Sequence, residues 1–389
     1  MSVAAGSASA GMDDEQRRSL GSELSPKTRL DFLDSLRGLA ALYVMLFHMA
    51  LLPEPDLALP QWARMTVLNG GMGVTLFFVV SAFSLFYTMP ARLREPHPWG
   101  SFFVHRFFRI APLFYLWIAL SLLRDQQLFD RTHSLAEIAL SVAFAFNLSP
   151  QGQEGFVWAS WTIGVEMLFY ALFPLYYVFA TDKRRALCLA LLLLVMWYAA
   201  KALAIYFVQD PNTMEMFGKW SFLKHLSVFA CGGVAFHAFF RADKSIAPDR
   251  SSGLLLIVGA LYLYTALLNG WLPDIFGDAY YWQAVLFAML LVGLGAAPIK
   301  LLVNAFTKYL GKVSYSLYLS HPTVIYLLMP VYAGIQRSVH NPSLSFAACT
   351  LLTLAAVLFV SEITYRLVEE PGINLGKRLN GFIRARARL

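Results

Sequence analysis

Several ionisable side chains lie inside long apolar stretches of the sequence, where a charge is costly. Arg37 and His48 fall in the first apolar stretch and Glu166 in the fourth. His321 lies near the middle of the ninth, directly before Pro322. On membrane-insertion scales an ionisable group at such a depth costs at least about 2.5–3.5 kcal/mol. Each of these side chains therefore calls for a structural or chemical reason.

His48 and Glu166 together could perform acid–base chemistry. Histidine can accept a proton near neutral pH, because its unperturbed pKa is about 6.5. A carboxylate nearby could hold the imidazole in one tautomer and stabilise its cation. Both residues are predicted to lie in the outer half of the membrane, so they could meet. The alternative is that His48 is only a hydrogen-bonded packing residue.

Arg106 and Arg109 are the residues best suited to bind phosphate. They are three residues apart at the cytoplasmic edge of a predicted helix, so they share one face. Guanidinium groups bind phosphate oxygens through paired hydrogen bonds. The alternatives are that this pair anchors the helix at the cytoplasmic surface and that Arg37 extends to the lipid headgroups.

The sequence does not predict a metal site. A bound metal needs three or four converging ligands, and the histidines here are scattered singly. Cys188, Cys231 and Cys349 each lie in an apolar stretch without metal-ligand spacing, which favours small buried packing residues.

The composition is that of a membrane protein. Of 389 residues, 58% are apolar and only 14% are charged, whereas a soluble domain has about 45–50% and about 25%. So few charges could not cover a soluble surface, and a disordered, collagen-like or disulfide-framework protein is excluded as well. The net charge of +7 comes from basic residues spread between apolar stretches, so we expect the lipid bilayer and no nucleic acid as a partner.

The hydropathy pattern predicts an all-α bundle of about ten membrane-spanning helices, since a span needs about 20 apolar residues. An eleventh stretch, 135–148, is short and predicts a re-entrant or interfacial segment. The ten spans are 32–52, 71–89, 107–123, 158–181, 186–208, 222–240, 254–270, 280–297, 313–334 and 345–367.

The distribution of lysine and arginine predicts that both termini are cytoplasmic. With ten spans, most of the 31 basic residues, including Lys183, Arg184 and Arg185, fall on the cytoplasmic side. We therefore expect a disordered cytoplasmic tail over 1–29, a transmembrane domain over 30–370 and a basic cytoplasmic tail over 371–389. The first tail lacks the pattern of a signal peptide.

Around the candidate residues Arg37, His48, Arg106, Arg109, Glu166 and His321, the chain resembles the integral-membrane acyltransferase family 3. This family includes bacterial O-antigen and exopolysaccharide O-acetyltransferases. Five motifs occur in the family's order. Ala82 and Thr162 depart from it, where the family commonly has Gly and Ser, and neither change removes an ionisable group. The motifs are 33–41 with His48, 73–81, Arg-x-x-Arg-Ile-x-Pro at 106–112, 161–166 with 169, 170 and 174, and Ser-Tyr-Ser-x-Tyr-Leu-x-His-Pro at 314–322.

The resemblance implies transfer of an acyl group, usually acetyl, from cytoplasmic acyl-CoA to a hydroxyl of an extracytoplasmic or lipid-linked glycan, in a bacterial inner membrane. His48 would be the general base or carry the acyl group transiently, and Glu166 would orient it or hold the acceptor. Arg37, Arg106 and Arg109 would bind the CoA moiety, without a metal. The substrate channel would be lined by His321, Trp161 and Tyr315. We expect no extracytoplasmic hydrolase-like domain of the kind that some members carry, because the stretch after residue 367 is short.

The main alternative is a transporter or flippase, because intramembrane charges also mark substrate and proton paths. Transporters often show two similar halves, and the pattern of Arg37, Gly38 and His48 has no counterpart in the second half. A sensor or structural membrane protein, in which polar residues only pack helices, is a further alternative. The acceptor stays open among polysaccharide, lipid-linked sugar, peptidoglycan and a small metabolite.

Overall fold

The computed structural model describes residues 30–240, 248–274 and 279–386. Each predicted span corresponds to a helix, and the all-α bundle is confirmed. The predicted tail over 1–29 lies outside the described residues. The helices of the ten spans are α1 (Asp31–Leu51), α3 (Met72–Arg92), α4 (Pro98–Phe129), α6 (Trp161–Phe179), α7 (Lys183–Phe207), α9 (Phe222–Phe239), α10 (Arg250–Leu268), α11 (Tyr280–Ala296), α13 (Ser314–Ser338) and α14 (Pro342–Thr364).

Shorter elements join these helices. The stretch predicted as re-entrant or interfacial forms α5 and a 3-10 turn at Phe146–Leu148. At 1.5 Å per residue, an eight-residue helix such as α5 reaches only about 12 Å and cannot cross a bilayer. The other joining helices are α2 (Gln61–Leu68), α5 (Leu135–Val142), α8 (Pro211–Trp220), α12 (Ala305–Lys312) and α15 (Glu370–Arg386).

Within the described residues, eight helical stretches are long and apolar enough to cross a membrane. Two of the ten predicted spans do not reach this standard. α11 has only 17 residues, whereas α13 has 25 but is rich in Ser, Tyr and His. Those polar residues are buried in the bundle, where Ser316, Ser320 and His321 are fully inaccessible.

The apolar surface of the bundle is carried mainly by α7 and α10. Only 11% of the apolar window of α7 and 17% of that of α10 are buried. Exposed leucines and valines on these helices would be unstable in water but are suited to lipid. The chain is therefore a multi-pass membrane protein.

α1 runs through the centre of the bundle and carries the first candidate residues. Leu36, Ala40 and Val44 are fully buried on it. Its N-terminal half crosses α12 at Gly311, where a Cβ atom would lie 1.9 Å from the carbonyl oxygen of Asp34. The two backbones can approach this closely only because Gly311 has no side chain.

α14 and α15 are joined by a five-residue π-helical segment, Tyr365–Glu369. Beyond it, α15 packs on α4 through two glycines: Gly372 faces the Pro112 ring and Gly376 faces the Phe108 side chain. Residues 371–386, predicted as a basic tail, thus belong to a helix packed on the helix of Arg106 and Arg109.

Candidate functional site

Five helices, α1, α3, α4, α6 and α13, enclose a cavity of about 90 Å³, which we call the arginine cavity. It brings together Arg37, Arg106, Arg109, Glu166 and Tyr315, all predicted from the sequence as site residues. The remaining lining residues are Val74, Phe77, Phe78, Ser81, Ile110, Thr162, Ile163, Tyr170, Ser314 and Tyr318.

Arg37 is held in a fixed position on the wall of the arginine cavity. Its guanidinium donates to Ser84 Oγ at 2.6 Å and to Asp34 Oδ1 at 3.2 Å. Asp34 lies one helical turn before Arg37, so the pair forms within α1. These contacts fix the guanidinium beside the cavity.

Arg106 and Arg109 both line the arginine cavity, as their spacing predicts. The Arg106 guanidinium lies 5.4 Å from the centre of the Tyr170 ring, and its buried Nε atom has no acceptor in the described part of the chain. Arg109 faces Glu369 at 3.7 Å. Glu369 is 1% exposed, and its other carboxylate oxygen accepts from Ser316 at 2.7 Å.

The Glu166 carboxylate is bonded within the arginine cavity. Oε1 accepts hydrogen bonds from Ser81 Oγ at 2.6 Å and from the Tyr170 hydroxyl. The structure therefore places Glu166 with the arginines, and no hydrogen bond among the described residues joins it to His48.

His48 pairs with His321 instead. Nδ1 of His48 lies 3.1 Å from Nε2 of His321, and the ring centres are 4.8 Å apart. His321 is fully buried. The two histidines come from α1 and α13, far apart in the sequence but adjacent in the bundle.

The carbonyl groups beside this pair determine which nitrogen carries each proton. A carbonyl oxygen only accepts, so Nδ1 of His48 donates to Val44 at 3.0 Å, and Nδ1 of His321 donates to Leu317 at 3.3 Å. Nε2 of His321 is then an acceptor that shares the single Nδ1 proton of His48 with the Val44 carbonyl. This assignment leaves Nε2 of His48 unprotonated, with its lone pair available to take up a proton.

Tyr318 connects the histidine pair to the arginine cavity. It lines that cavity, and its ring centre lies 5.5 Å from that of His321. Its hydroxyl donates to the Ala159 carbonyl at 3.1 Å and accepts from Thr162 at 3.0 Å. Both bonds tie α13 to the start of α6.

The residues predicted for the channel have different locations. Tyr315 lines the arginine cavity and donates to the Ile110 carbonyl at 2.9 Å. His321 is not a lining residue of that cavity but packs against Tyr318, which is. Trp161 is not part of the cavity lining. Its ring packs against His225, with centres 5.0 Å apart.

Sequence reasoning missed the partners of the charged residues. Tyr170 is four residues after Glu166, on the same helix face, so its role could have been recognised. Ser81 and Tyr318 lie in the motifs that carry the family resemblance but were assigned no role. Glu369 follows the last span and gives no sequence signal that it pairs with Arg109. Among the described residues, no group of three or more His, Cys, Asp or Glu is placed to hold a metal ion.

Comparison with known proteins supports an acyltransferase. The chain is 21% identical to the peptidoglycan O-acetyltransferase OatA of Listeria monocytogenes over 90% of its own length and 56% of that protein. It is 26% identical to the "Putative membrane-bound transacylase BcsY" of Komagataeibacter xylinus, over 93% of its own length and 88% of that protein. The chain thus spans little more than half of the Listeria protein. No solved structure matches it.

A family model also matches most of the chain. The model described as "Acyltransferase domain" matches residues 30–362, which include the arginine cavity and the histidine pair. This match favours an enzyme over a transporter, a sensor or a purely structural membrane protein. The chain therefore belongs to acyltransferase family 3 and is a multi-pass membrane acyltransferase.

Proposed function

We propose that this acyltransferase moves an acetyl group from acetyl-CoA, bound from the cytoplasmic side of a bacterial inner membrane, to a hydroxyl group of a glycan. One observation carries the proposal: the arginine cavity and the His48–His321 pair are joined through Tyr318. A donor held by the arginines would thus have its reactive end close to a base. The names of the relatives support O-acetyl transfer, and peptidoglycan appears in the name of the Listeria protein.

The arginine cavity would hold the part of acetyl-CoA that enters the bundle. Pockets for whole organic ligands measure about 300–1,000 Å³, so a cavity of about 90 Å³ would enclose only a small part of the donor, such as one phosphate group held by the arginines. Arg106 has an unused buried Nε donor. Arg109 makes only a long ion pair to Glu369. Both can therefore add bonds to a phosphate oxygen.

His48 would act through Nε2. As the acceptor oxygen attacks the thioester carbonyl carbon, Nε2 takes the hydroxyl proton; the carbon–sulfur bond then breaks and the CoA thiolate receives that proton. The products are an ester and free CoA. Alternatively, Nε2 attacks the thioester carbonyl carbon, the carbon–sulfur bond breaks and CoA leaves as the thiolate. The acceptor oxygen then attacks the acetyl carbon, the nitrogen–carbon bond breaks, and the hydroxyl proton passes to the CoA thiolate. The proton on Nδ1 of His48 supports either course, since it leaves the Nε2 lone pair available.

His321 and Glu166 would have separate tasks. His321 accepts from Nδ1 of His48, so it would hold the reactive tautomer and stabilise the imidazolium. The sequence analysis had predicted this task for Glu166, as the alternative to holding the acceptor. Glu166, held by Ser81 and Tyr170, would orient the bound substrate in the arginine cavity.

The test is acetyl transfer by the purified chain in detergent, followed as release of free CoA from acetyl-CoA with a peptidoglycan-derived glycan as the acceptor. General-base catalysis contributes about 10²–10⁴-fold, so His48→Ala should lose activity by that factor. His340→Ala, which removes an exposed histidine, is the matched control and should retain it. Activity of His48→Ala within a few-fold of wild type would refute the assignment.

A further inference from the structure

A second cavity, of about 480 Å³, lies between the end of α4, α5 and the loop that precedes α6. We call it the loop cavity. Its volume falls in the range of about 300–1,000 Å³ that is usual for pockets of small organic ligands. It is much larger than the arginine cavity, and the proposed reaction steps do not use it.

Aromatic rings form part of the wall of the loop cavity. Phe129, Phe156 and Trp158 line it, and the Phe129 side chain is 43% exposed. The Arg124 guanidinium stacks 3.7 Å from the centre of the Trp158 ring and fixes its position. Rings held in this way offer rigid apolar contact area, which suits the carbon–hydrogen face of a pyranose sugar.

Polar side chains on the same wall are available for a ligand. Arg131, Gln151 and Glu154 line the cavity and make no side-chain hydrogen bond or ion pair within the part of the chain that the structure describes. Partial burial raises the pKa of the Glu154 carboxyl, against the opposing effects of Lys219 and Arg131. A hydrogen bond from a ligand hydroxyl would compensate this lost hydration.

The charges around the cavity do not favour an anionic ligand. Asp125 and Glu137 line the cavity beside Glu154 and Arg131. Asp125 is paired with Arg124 at 2.7 Å, and Lys219 and Arg131 both act on Glu154, so positive and negative charges are close to balance. Such a wall has no excess of positive charge for phosphate groups such as those of acetyl-CoA and can accept hydrogen bonds from neutral hydroxyl groups.

Helix α13 carries His321 and also packs on the wall of the loop cavity. The Tyr326 ring centre lies 5.4 Å from that of Phe129 and 5.5 Å from that of Trp158. Tyr326 is five residues after His321 on the same helix, which is about 7–8 Å along its axis. The helix that contacts the arginine cavity through Tyr318 therefore also contacts the wall of the loop cavity.

We propose that the loop cavity binds the acceptor as a neutral saccharide, with its rings stacked on the aromatic wall and its hydroxyls bonded to Glu154 and Gln151. This inference rests on the proposed function and deepens it by giving the acceptor a binding site of its own. Helix α13 then contacts both a donor site rich in arginine and an acceptor site lined by aromatic and polar side chains. In the predicted topology, the loop cavity opens on the extracytoplasmic side.

The test is equilibrium binding to the purified full chain in detergent, measured by calorimetry with chitopentaose, cellopentaose and maltopentaose as probes. The wild type should bind at least one of them at millimolar concentration. Glu154→Ala should weaken that binding about tenfold or more, because a bond to a charged group is lost. Gln151→Trp should weaken it similarly by filling the cavity from an exposed position.

Asp56→Ala is the matched control, since Asp56 is an exposed carboxylate in the loop after α1 that does not line the cavity. Its binding should equal that of wild type. The proposal is overturned if the wild type binds none of the three probes, or if the two cavity variants bind as tightly as the control. Equal elution volumes in gel filtration ensure that the compared proteins are folded.

These outcomes are independent of the test of the proposed function. If saccharide binding fails while His48-dependent CoA release persists, the acceptor site is wrong and acetyl transfer stands. If CoA release does not depend on His48 while the cavity variants lose saccharide binding, the mechanism is wrong and the binding site stands.

Discussion

Nδ1 of His48 lies 3.1 Å from Nε2 of His321, and this contact joins the first helix of the bundle to α13. Both imidazoles are also fixed by main-chain carbonyls one turn earlier on their own helices. The pair therefore has one consistent arrangement of protons. That arrangement leaves two unprotonated nitrogens: Nε2 of His321 accepts from His48, and Nε2 of His48 has no hydrogen-bond partner among the described residues.

The first prediction concerns His321 as a positioning residue. His321→Ala should lower kcat by about tenfold to hundredfold with little change in KM for acetyl-CoA, since it removes the acceptor of one hydrogen bond. His321→Asn supplies a side-chain oxygen and should recover part of kcat. A purely structural role would instead predict equal loss in both variants, in parallel with lower thermal stability.

The second prediction concerns donor binding. Arg106→Ala and Arg109→Ala should each raise KM for acetyl-CoA by about tenfold or more, because a charge-assisted phosphate contact is removed. KM for the acceptor should change less. Arg185→Ala, at an exposed arginine near the start of α7, is the control. A larger effect on acceptor KM than on donor KM would contradict the phosphate role.

The third prediction tests whether Glu166 acts on His48. Glu166 is bonded to Ser81 and Tyr170, so Glu166→Gln should lower kcat/KM at every pH. It should not move the midpoint of the acidic limb of the pH profile of kcat/KM, which reports the pKa of the base in the free enzyme. His321→Ala should move that midpoint. A shift of the midpoint in Glu166→Gln would show that its charge reaches His48.

The fourth prediction concerns the buried carboxylate of Glu369. Glu369→Ala should destabilise the bundle by about 1–3 kcal/mol, because Ser316 loses its acceptor and the nearby Arg109 its counter-charge. Glu369→Gln should cost less, since its side-chain oxygen still accepts from Ser316. Thermal unfolding in detergent measures both. Equal stability of Glu369→Ala and wild type would show that the contacts contribute nothing.

The fifth prediction concerns the crossing of α1 and α12. Gly311→Ala should cost at least about 1–3 kcal/mol, because the new Cβ would meet the Asp34 carbonyl. Gly381→Ala is the control, since nothing lies within 4 Å of a Cβ there. It should be neutral or stabilise by up to about 1 kcal/mol. Thermal unfolding again distinguishes the two.

The helices could be predicted from the sequence because each apolar run is long enough to be read without knowledge of its neighbours. The ends were less accurate: α4 begins at Pro98, whereas the prediction began at 107. Residues 98–106 form two further helical turns. Arg106, placed at the edge of the predicted helix, therefore lies well inside α4 and lines the arginine cavity.

The pairing of candidate residues was harder to predict, because depth in the membrane does not define direction around a helix axis. His48 and Glu166 were placed at similar depth and were expected to be able to meet. In the bundle, His48 on α1 points toward His321 on α13, while Glu166 on α6 bonds Ser81 on α3. Such rotations depend on contacts between helices that a single sequence does not reveal.

The five-residue π segment before α15 holds one residue more than an α-helical path would need. Each residue of an α-helix advances the chain by about 100° around the axis. Removing one residue here would therefore rotate Gly372 and Gly376 away from α4, so that bulkier neighbouring residues would face α4 instead. The length of this short segment, more than its sequence, thus determines which face of α15 packs on α4, the helix that carries Arg106 and Arg109.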